Sequence, residues 1–503
     1  MSVSNFGGRK GNEMKKLALI GLMGLAVSAG ANLRPAYVFS DGMVLQAHKP
    51  VPVWGLADPD ERFTVKYGDV VVEGRADAEG RWCVKLPAMD YVRQGRNLEL
   101  RGSNIVTFKD VLVGEVWLGS GQSNMEFPLD LCEEGKVIAK GGKLPETVRY
   151  LHVPKDGDTQ PRDLFGIPRD CRWLKYTAAN EPANKRMSML LTFFAKRFLQ
   201  DMDVPLGLIS IASGGANLET WMSAEAIEEA GTTKEAARLL KTCEGWRAND
   251  IRKWENRPEN EKGRLFPRVN FESRPSQCWN ALACPVKPFA VRGILWYQGE
   301  MNSGAALYEK QYPAFVKNFR AAFNDPELPF YIVQLPDYKG DHWPAIRDIQ
   351  RRMSEQIPHC GLAVTIDGHE IDLHPRDKRK VADRLARLVL ADCYGKQIVA
   401  RSPSPKTVVR EGNAVIVTFK NAAKGLKLSD GAVPRTFALA GADKKFVAAD
   451  ATLVLLGKDQ VRLTVPAGMA DVKYVRYGWD PDPDVNLVNS AGLPATPFEE
   501  PVQ

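Results

Sequence analysis

Short apolar runs alternate with helix-patterned segments through the middle of this chain, and that alternation narrows the fold more than any other feature. Pro205 to Ile211, Gly293 to Tyr297, Phe330 to Gln334 and Leu362 to Ile366 read as strands. Interleaved with them, Met189 to Asp201, Tyr308 to Phe323 and Lys378 to Tyr394 repeat apolar residues at three-to-four spacing. This succession predicts an α/β domain: a parallel sheet with helices on both faces. The two ends of the chain differ. From about Asn32 to Asp110, runs such as Val51 to Gly55, Phe63 to Gly68 and Val70 to Val72 are short, β-branched and punctuated by turns, which predicts a small antiparallel sandwich. After Ala400 the same pattern returns in Ala414 to Phe419 and Gln460 to Val465. Residues 224–274, rich in Lys, Glu, Arg and Trp, predict a helical insertion. A chain of 503 residues exceeds one ordinary core. The predicted division is 32–110 for an N-terminal β module, 111–399 for the α/β domain and 400–503 for a C-terminal β module.

Residues 1–31 stand apart. Met14-Lys15-Lys16, the apolar stretch Leu17 to Val27 and Ser28-Ala29-Gly30-Ala31 form the three parts of a secretory signal, with cleavage expected after Ala31. The apolar stretch is short for a bilayer span, so the expected product is secreted or periplasmic, with no stable membrane insertion. The net charge of +7 is dispersed, and no basic run offers a phosphate-binding surface, so nucleic acid is not an expected partner. Eight scattered cysteines include no C-x-x-C pair, which disfavours a zinc ribbon or a thioredoxin-like site. Buried free thiols fit a chain of this size at least as well as disulfides.

Gly119-Ser120-Gly121-Gln122-Ser123-Asn124-Met125 follows the apolar segment Val111 to Leu118. A strand ending in a glycine-flanked serine puts a hydroxyl at the carboxyl edge of a sheet, where N–H groups can face an anion. Serine is also a common helix N-cap, but the amides of Gln122 and Asn124 crowd donors around the Ser123 hydroxyl and are themselves candidate substrate contacts. The run is not G-x-S-x-G, which disfavours a standard α/β-hydrolase. Among six histidines, His374 is the candidate general base. Pro375 keeps it extended, outside the helix that follows. Asp372, two residues earlier, points the same way and suits the task of fixing the imidazole tautomer. His369 as base, and Asp367 or Glu370 as orienter, are the competing choices.

Two further strand ends carry polar groups. Gly214-Gly215 permits close approach of main-chain N–H groups to a substrate, and Trp296-Tyr297-Gln298-Gly299-Glu300 brings an amide donor and a carboxylate. Ligands of open α/β sheets bind beyond the carboxyl ends of strands, so these ends should converge. Serine, aspartate and histidine so placed are the ingredients of acyl transfer through a covalent ester.

Taken together, these blocks resemble the sialate O-acetylesterase family, within the wider SGNH (GDSL-like) hydrolases. Gly114-Glu115-Val116-Trp117-Leu118 leading into Gly121-Gln122-Ser123-Asn124-Met125 looks like its nucleophile block, followed by Gly214-Gly215, Trp296 to Glu300 and Asp372-Leu373-His374-Pro375. Met43 to Gln46, Val475 to Trp479, Asn486-Leu487 and Gly492 to Ala495 extend the likeness over most of the chain. Asp58-Pro59-Asp60 departs from the family's Pro-Gly-Glu, at a turn. The resemblance implies an SGNH-type, flavodoxin-like sheet and removal of O-acetyl groups from sugars, with acetylxylan or another polysaccharide as the second substrate class. It implies Ser123 as nucleophile, His374 as base, Asp372 as orienter, and an oxyanion hole from Ser123, Gly214 or Gly215, and the Gln298 side chain. Glu300 would join Gln122 and Asn124 near the substrate. A sialate carboxylate would call for an arginine, for which Arg292, Arg347 and Arg376 are candidates, with Arg347 as the first choice. No metal or cofactor is implied. A carbohydrate-binding protein with a dead hydrolase domain is the reading from another class, and the intact Ser123, Asp372 and His374 argue against it.

Overall fold

The computed structural model describes residues 32–256, 271–368, 372–431, 433–454 and 458–503. The expected export signal, the His369 and Glu370 alternatives and residues 257–270 of the expected insertion lie outside the described residues.

The centre of the molecule is a mixed sheet. Its main strands are β1 (Ile105–Gly121), β2 (Val148–His152), β3 (Leu206–Ser210), β4 (Gly293–Tyr297), β5 (Phe330–Val333) and β6 (Cys360–Ala363). Their spatial order is β2-β3-β1-β4-β5-β6, and each neighbouring pair is parallel. The short strand Leu174–Lys175 closes the β2 edge antiparallel. Strands β3 to β6 are buried at every position. Both faces are covered, so they read as continuous apolar runs rather than alternating ones.

The helices named below are α1 (Ser123–Glu126), α2 (Met189–Phe198), α3 (Thr233–Glu255), α4 (Ala305–Ala322), α5 (Trp343–Gln356) and α6 (Arg379–Tyr394). Helices α2 and α6 cover one face, where Trp117 meets Phe194 at 5.8 Å between rings. Helices α4 and α5 cover the other, where Trp296 meets Phe315 at 4.5 Å. Burying aromatic rings of this size contributes about 2–3 kcal/mol each. Ser188 caps α2 by accepting the Leu191 N–H at 3.2 Å. Helix α3 buries only Ala236 and Cys243 among its side chains, as suits an insertion standing off the sheet.

Strand β1 is unusually long. Its first half pairs antiparallel with Val92–Arg101 in the N-terminal module, and its last residues lie between β3 and β4. The expected boundary at 110 therefore falls inside a continuous strand. In the N-terminal module, Phe63 and Trp82 bring two antiparallel sheets together at 4.7 Å. In the C-terminal one, Phe419 and Phe498 do so at 6.0 Å. All eight cysteines are unpaired. No helix among the described residues is long and apolar enough to cross a membrane.

Candidate active site

The site begins where β1 meets β4. Gly121 has φ +136°, and a Cβ there would stand 2.1 Å from the Tyr297 carbonyl oxygen, so only glycine fits. Gln122 N–H then donates to the same carbonyl at 2.9 Å, and the chain turns into α1 with Ser123 as its first residue. Ser123 Oγ lies 2.7 Å from His374 Nε2, so two residues from opposite ends of the α/β domain share a hydrogen bond. The Phe127 ring stacks on the imidazole, with centroids 5.8 Å apart and planes at 19°. Burial and the Lys378 ammonium hold the imidazole below its ordinary pKa, with the Asp372 carboxylate acting the other way. An imidazole so placed is neutral at neutral pH and able to take the serine proton.

Asp372 reaches His374 by a different atom from the one expected. Its Oδ1 accepts the main-chain N–H of His374 at 3.0 Å, and among the described residues no hydrogen bond joins it to imidazole Nδ1. The carboxylate thus fixes the turn that carries the imidazole. The competing Asp367 is committed elsewhere, in a fork to Arg384 at 2.7 and 2.6 Å.

At the end of β3, the two glycines divide. Gly214 N–H donates to Glu126 Oε2 at 2.5 Å, so this expected oxyanion donor is taken. Gly215, at φ +82°, and Ser123 have main-chain N–H groups with no protein acceptor among the described residues. Gly215 is the one of the pair whose backbone a side chain would strain.

Four polar residues expected to face substrate serve the scaffold instead. Gln298 is fully buried, and its Nε2 donates to Asn302 Oδ1 at 2.6 Å, the Ala216 carbonyl at 3.2 Å and Gln122 Oε1 at 3.3 Å. Its amide braces three loops, and its nitrogen is spent on them. Asn124, also fully buried, donates from Nδ2 to Glu300 Oε1 at 2.6 Å and to the Leu373 carbonyl at 2.8 Å. Its Oδ1 accepts from Lys378 Nζ at 2.5 Å. Glu300 is buried, which raises its pKa against the lowering effect of the Asn124 hydrogen bond. Arg347 has no exposure and donates to the carbonyls of Leu335, Pro336, Asp480 and Pro481, clasping the C-terminal module to the sheet. Burial pushes its guanidinium down to about 10.

Gln122 differs from these four. Its Oε1 accepts from Gln298 Nε2 and, at 3.4 Å, from the Gly299 and Met301 N–H groups. Its Nε2 has no acceptor among the described residues. Of the other arginines, Arg292 sits at the opposite edge of the sheet and donates to the Cys393 carbonyl, while Arg376 is exposed two residues beyond His374.

The sequence reading passed over Lys378, which has no exposed surface. The available signal was its position four residues after His374, immediately ahead of a helix.

Residues 248–391, a span that includes Gln298, Asp372 and His374, match the family model described as carbohydrate esterase, sialic acid-specific acetylesterase. The structure is similar to the crystal structure of a carbohydrate acetylesterase from Xanthomonas citri, with a TM-score of 0.78 and 30% identity, covering 93% of this chain and 99% of that one. The sialate O-acetylesterase of Mus musculus is 28% identical over 429 residues, covering 76% of this chain and 77% of that protein. That of Homo sapiens is 26% identical over 424 residues, with 76% and 75% covered. Ser123 and His374 meet in a hydrogen bond within a fold shared along nearly its whole length with a carbohydrate acetylesterase, and the chain belongs to the sialate O-acetylesterase family of carboxylic ester hydrolases.

Proposed function

We propose that this protein is an exported carbohydrate O-acetylesterase, with acetylated sialic acid as its first substrate class, working through an acyl-serine intermediate. The observation that carries the mechanism is the 2.7 Å contact between Ser123 Oγ and a His374 imidazole held neutral. His374 Nε2 takes the hydroxyl proton as Ser123 Oγ attacks the acetyl carbonyl. Ser123 N–H and Gly215 N–H, both without an acceptor among the described residues, stabilise the oxyanion. The sugar hydroxyl leaves with the proton from His374, and water then releases acetate by the same route in reverse. Gln122 Nε2 is the amide donor left for the sugar.

An SGNH-type sheet is supported by its strand order. With β2 set aside, β3-β1-β4-β5-β6 reads 2-1-3-4-5 in chain order, which is the flavodoxin-like arrangement. Export is supported by the segment Met14 to Ala31.

The second substrate reading is a neutral acetylated polysaccharide such as acetylxylan. It is favoured by the commitment of Arg347 and Arg292 to main-chain carbonyls, which takes the first-choice arginine away from a sialate carboxylate. Acetylated sialic acid should be hydrolysed with a kcat/KM at least about tenfold above acetylated xylan. The reverse ratio would move the substrate to the neutral class and leave the serine chemistry standing.

The two carboxylates call for paired variants. Asp372→Asn should slow turnover by about 10²-fold, through loss of the charge that favours the imidazolium, while its amide oxygen can still accept the His374 N–H that holds the turn. Asp367→Asn should chiefly lower stability, because it weakens the buried pairing of Arg384. Turnover per folded molecule and denaturant midpoints separate the two. Lost chemistry in Asp367→Asn, with Asp372→Asn unaffected, would reverse the assignment.

A further inference from the structure

Lys378 immediately precedes α6 and is wholly enclosed. Burying an ammonium is costly unless its surroundings compensate. Its contacts include Asn124 Oδ1 at 2.5 Å and the faces of Phe127 and Tyr297, at 5.1 and 5.4 Å from the ring centroids. Asn124 passes the restraint on, because its Nδ2 holds the Leu373 carbonyl and Glu300 Oε1. Asn124 follows Ser123 in the chain, and Leu373 precedes His374. One amide, oriented by a cation on one side and a carboxylate on the other, therefore ties the residue beside the nucleophile to the residue beside the base. The Phe127 ring under the ammonium is also the ring stacked on the imidazole.

We propose that Lys378 is a positioning residue for the acyl transfer, pinning the segment that carries His374 to the helix that carries Ser123 through Asn124 and Phe127. The proposal rests on the acyl-serine reading above.

The placement has an electrostatic consequence. On His374 itself act Lys378, from the start of α6, and Asp372, from the base's own turn, with opposite signs. On α1, Ser123 contributes its hydroxyl to the imidazole, while Glu126 is engaged with Gly214 N–H. Glu300, at the end of β4, faces Lys378 across Asn124. Removing the ammonium should let the imidazole hold its proton to higher pH. A residue with a purely structural role would lower the rate equally at every pH.

Lys378→Met, Lys378→Gln and Lys378→Arg in the full chain test this on a chromogenic acetyl ester, with thermal unfolding followed in parallel. Lys378→Met should lower kcat by about 10- to 100-fold at neutral pH, change KM by less than about twofold, and shift the acid limb of kcat/KM to higher pH. Lys378→Gln keeps a donor for Asn124 without the charge. It should shift the limb similarly at a smaller cost in kcat, and it serves if the Met variant does not fold. Lys378→Arg should restore the limb and part of the rate. An unmoved limb in both neutral variants, or a loss uniform across pH that tracks the drop in Tm, overturns the proposal. An active Ser123→Ala would instead overturn the acyl-serine reading, whatever Lys378 does.

Discussion

Ser123→Ala is expected to lower acetate release from a chromogenic acetyl ester by about 10⁵- to 10⁶-fold, the scale on which removal of a serine nucleophile acts when its base is left in place. The change removes one oxygen and one side-chain contact, the 2.7 Å bond to His374 Nε2. The main-chain N–H of residue 123 remains, so the oxyanion donors survive and a small residual rate above water should persist. Stability should barely move. Ser123 is half-buried, Gln122 and Gly121 still turn the chain against the Tyr297 carbonyl, and the imidazole left behind is partly open to water. The unfolding free energy should stay within about 0.5 kcal/mol of wild type. Turnover at the wild-type rate in a variant with an unchanged denaturant midpoint would place the nucleophile elsewhere and remove the mechanism built on it.

The parts of this site that were legible in the sequence share a property: their chemistry depends on residue type and on the edge of the sheet they occupy. Ser123 after β1, the glycine pair after β3 and His374 ahead of α6 all lie beyond carboxyl ends of buried strands, and those strands are readable because both their faces are apolar. Strand β4 carries the residues read for it, Gly293–Tyr297, for this reason. What was misread was direction. An amide beside a nucleophile has the same one-dimensional signature whether it faces a sugar or a neighbouring loop. Asn124 and Gln298 face loops. Arg347 illustrates the same limit for charge, since five-donor forks recognise main-chain carbonyls as well as carboxylates. Helix α5 went unread because its buried face includes Arg347, Asp348, Gln350 and Arg351, which erase the apolar period. The N-terminal boundary was blurred by β1, whose pairing partners change from one module to the other without a break in the strand. Asp372 lies two residues before His374, yet its hydrogen bond goes to the main chain, a choice of one rotamer that spacing does not reveal.

His374→Ala should cost nearly as much as the loss of Ser123, about 10⁴- to 10⁶-fold in kcat, because a serine hydroxyl without its base is a poor nucleophile at neutral pH. The two effects should not add. The double variant Ser123→Ala/His374→Ala should be no slower than Ser123→Ala within about threefold, since each single change already disables the same step. The pH dependence supplies the sign. His374 must be neutral to accept the proton, and burial with the Lys378 charge lowers its affinity for one, so the wild-type acid limb of kcat/KM should lie below the ordinary imidazole range. Activity should thus persist into mildly acidic solution and fall only once the imidazole protonates. In His374→Ala that limb should vanish, leaving a residual rate without an inflection there. Because the imidazole is only half-buried, free imidazole added to this variant has a way in and should recover part of the lost rate. A limb that survives at the same pH in His374→Ala would assign the base to another group, and the short contact with Ser123 would then be a structural hydrogen bond without catalytic consequence.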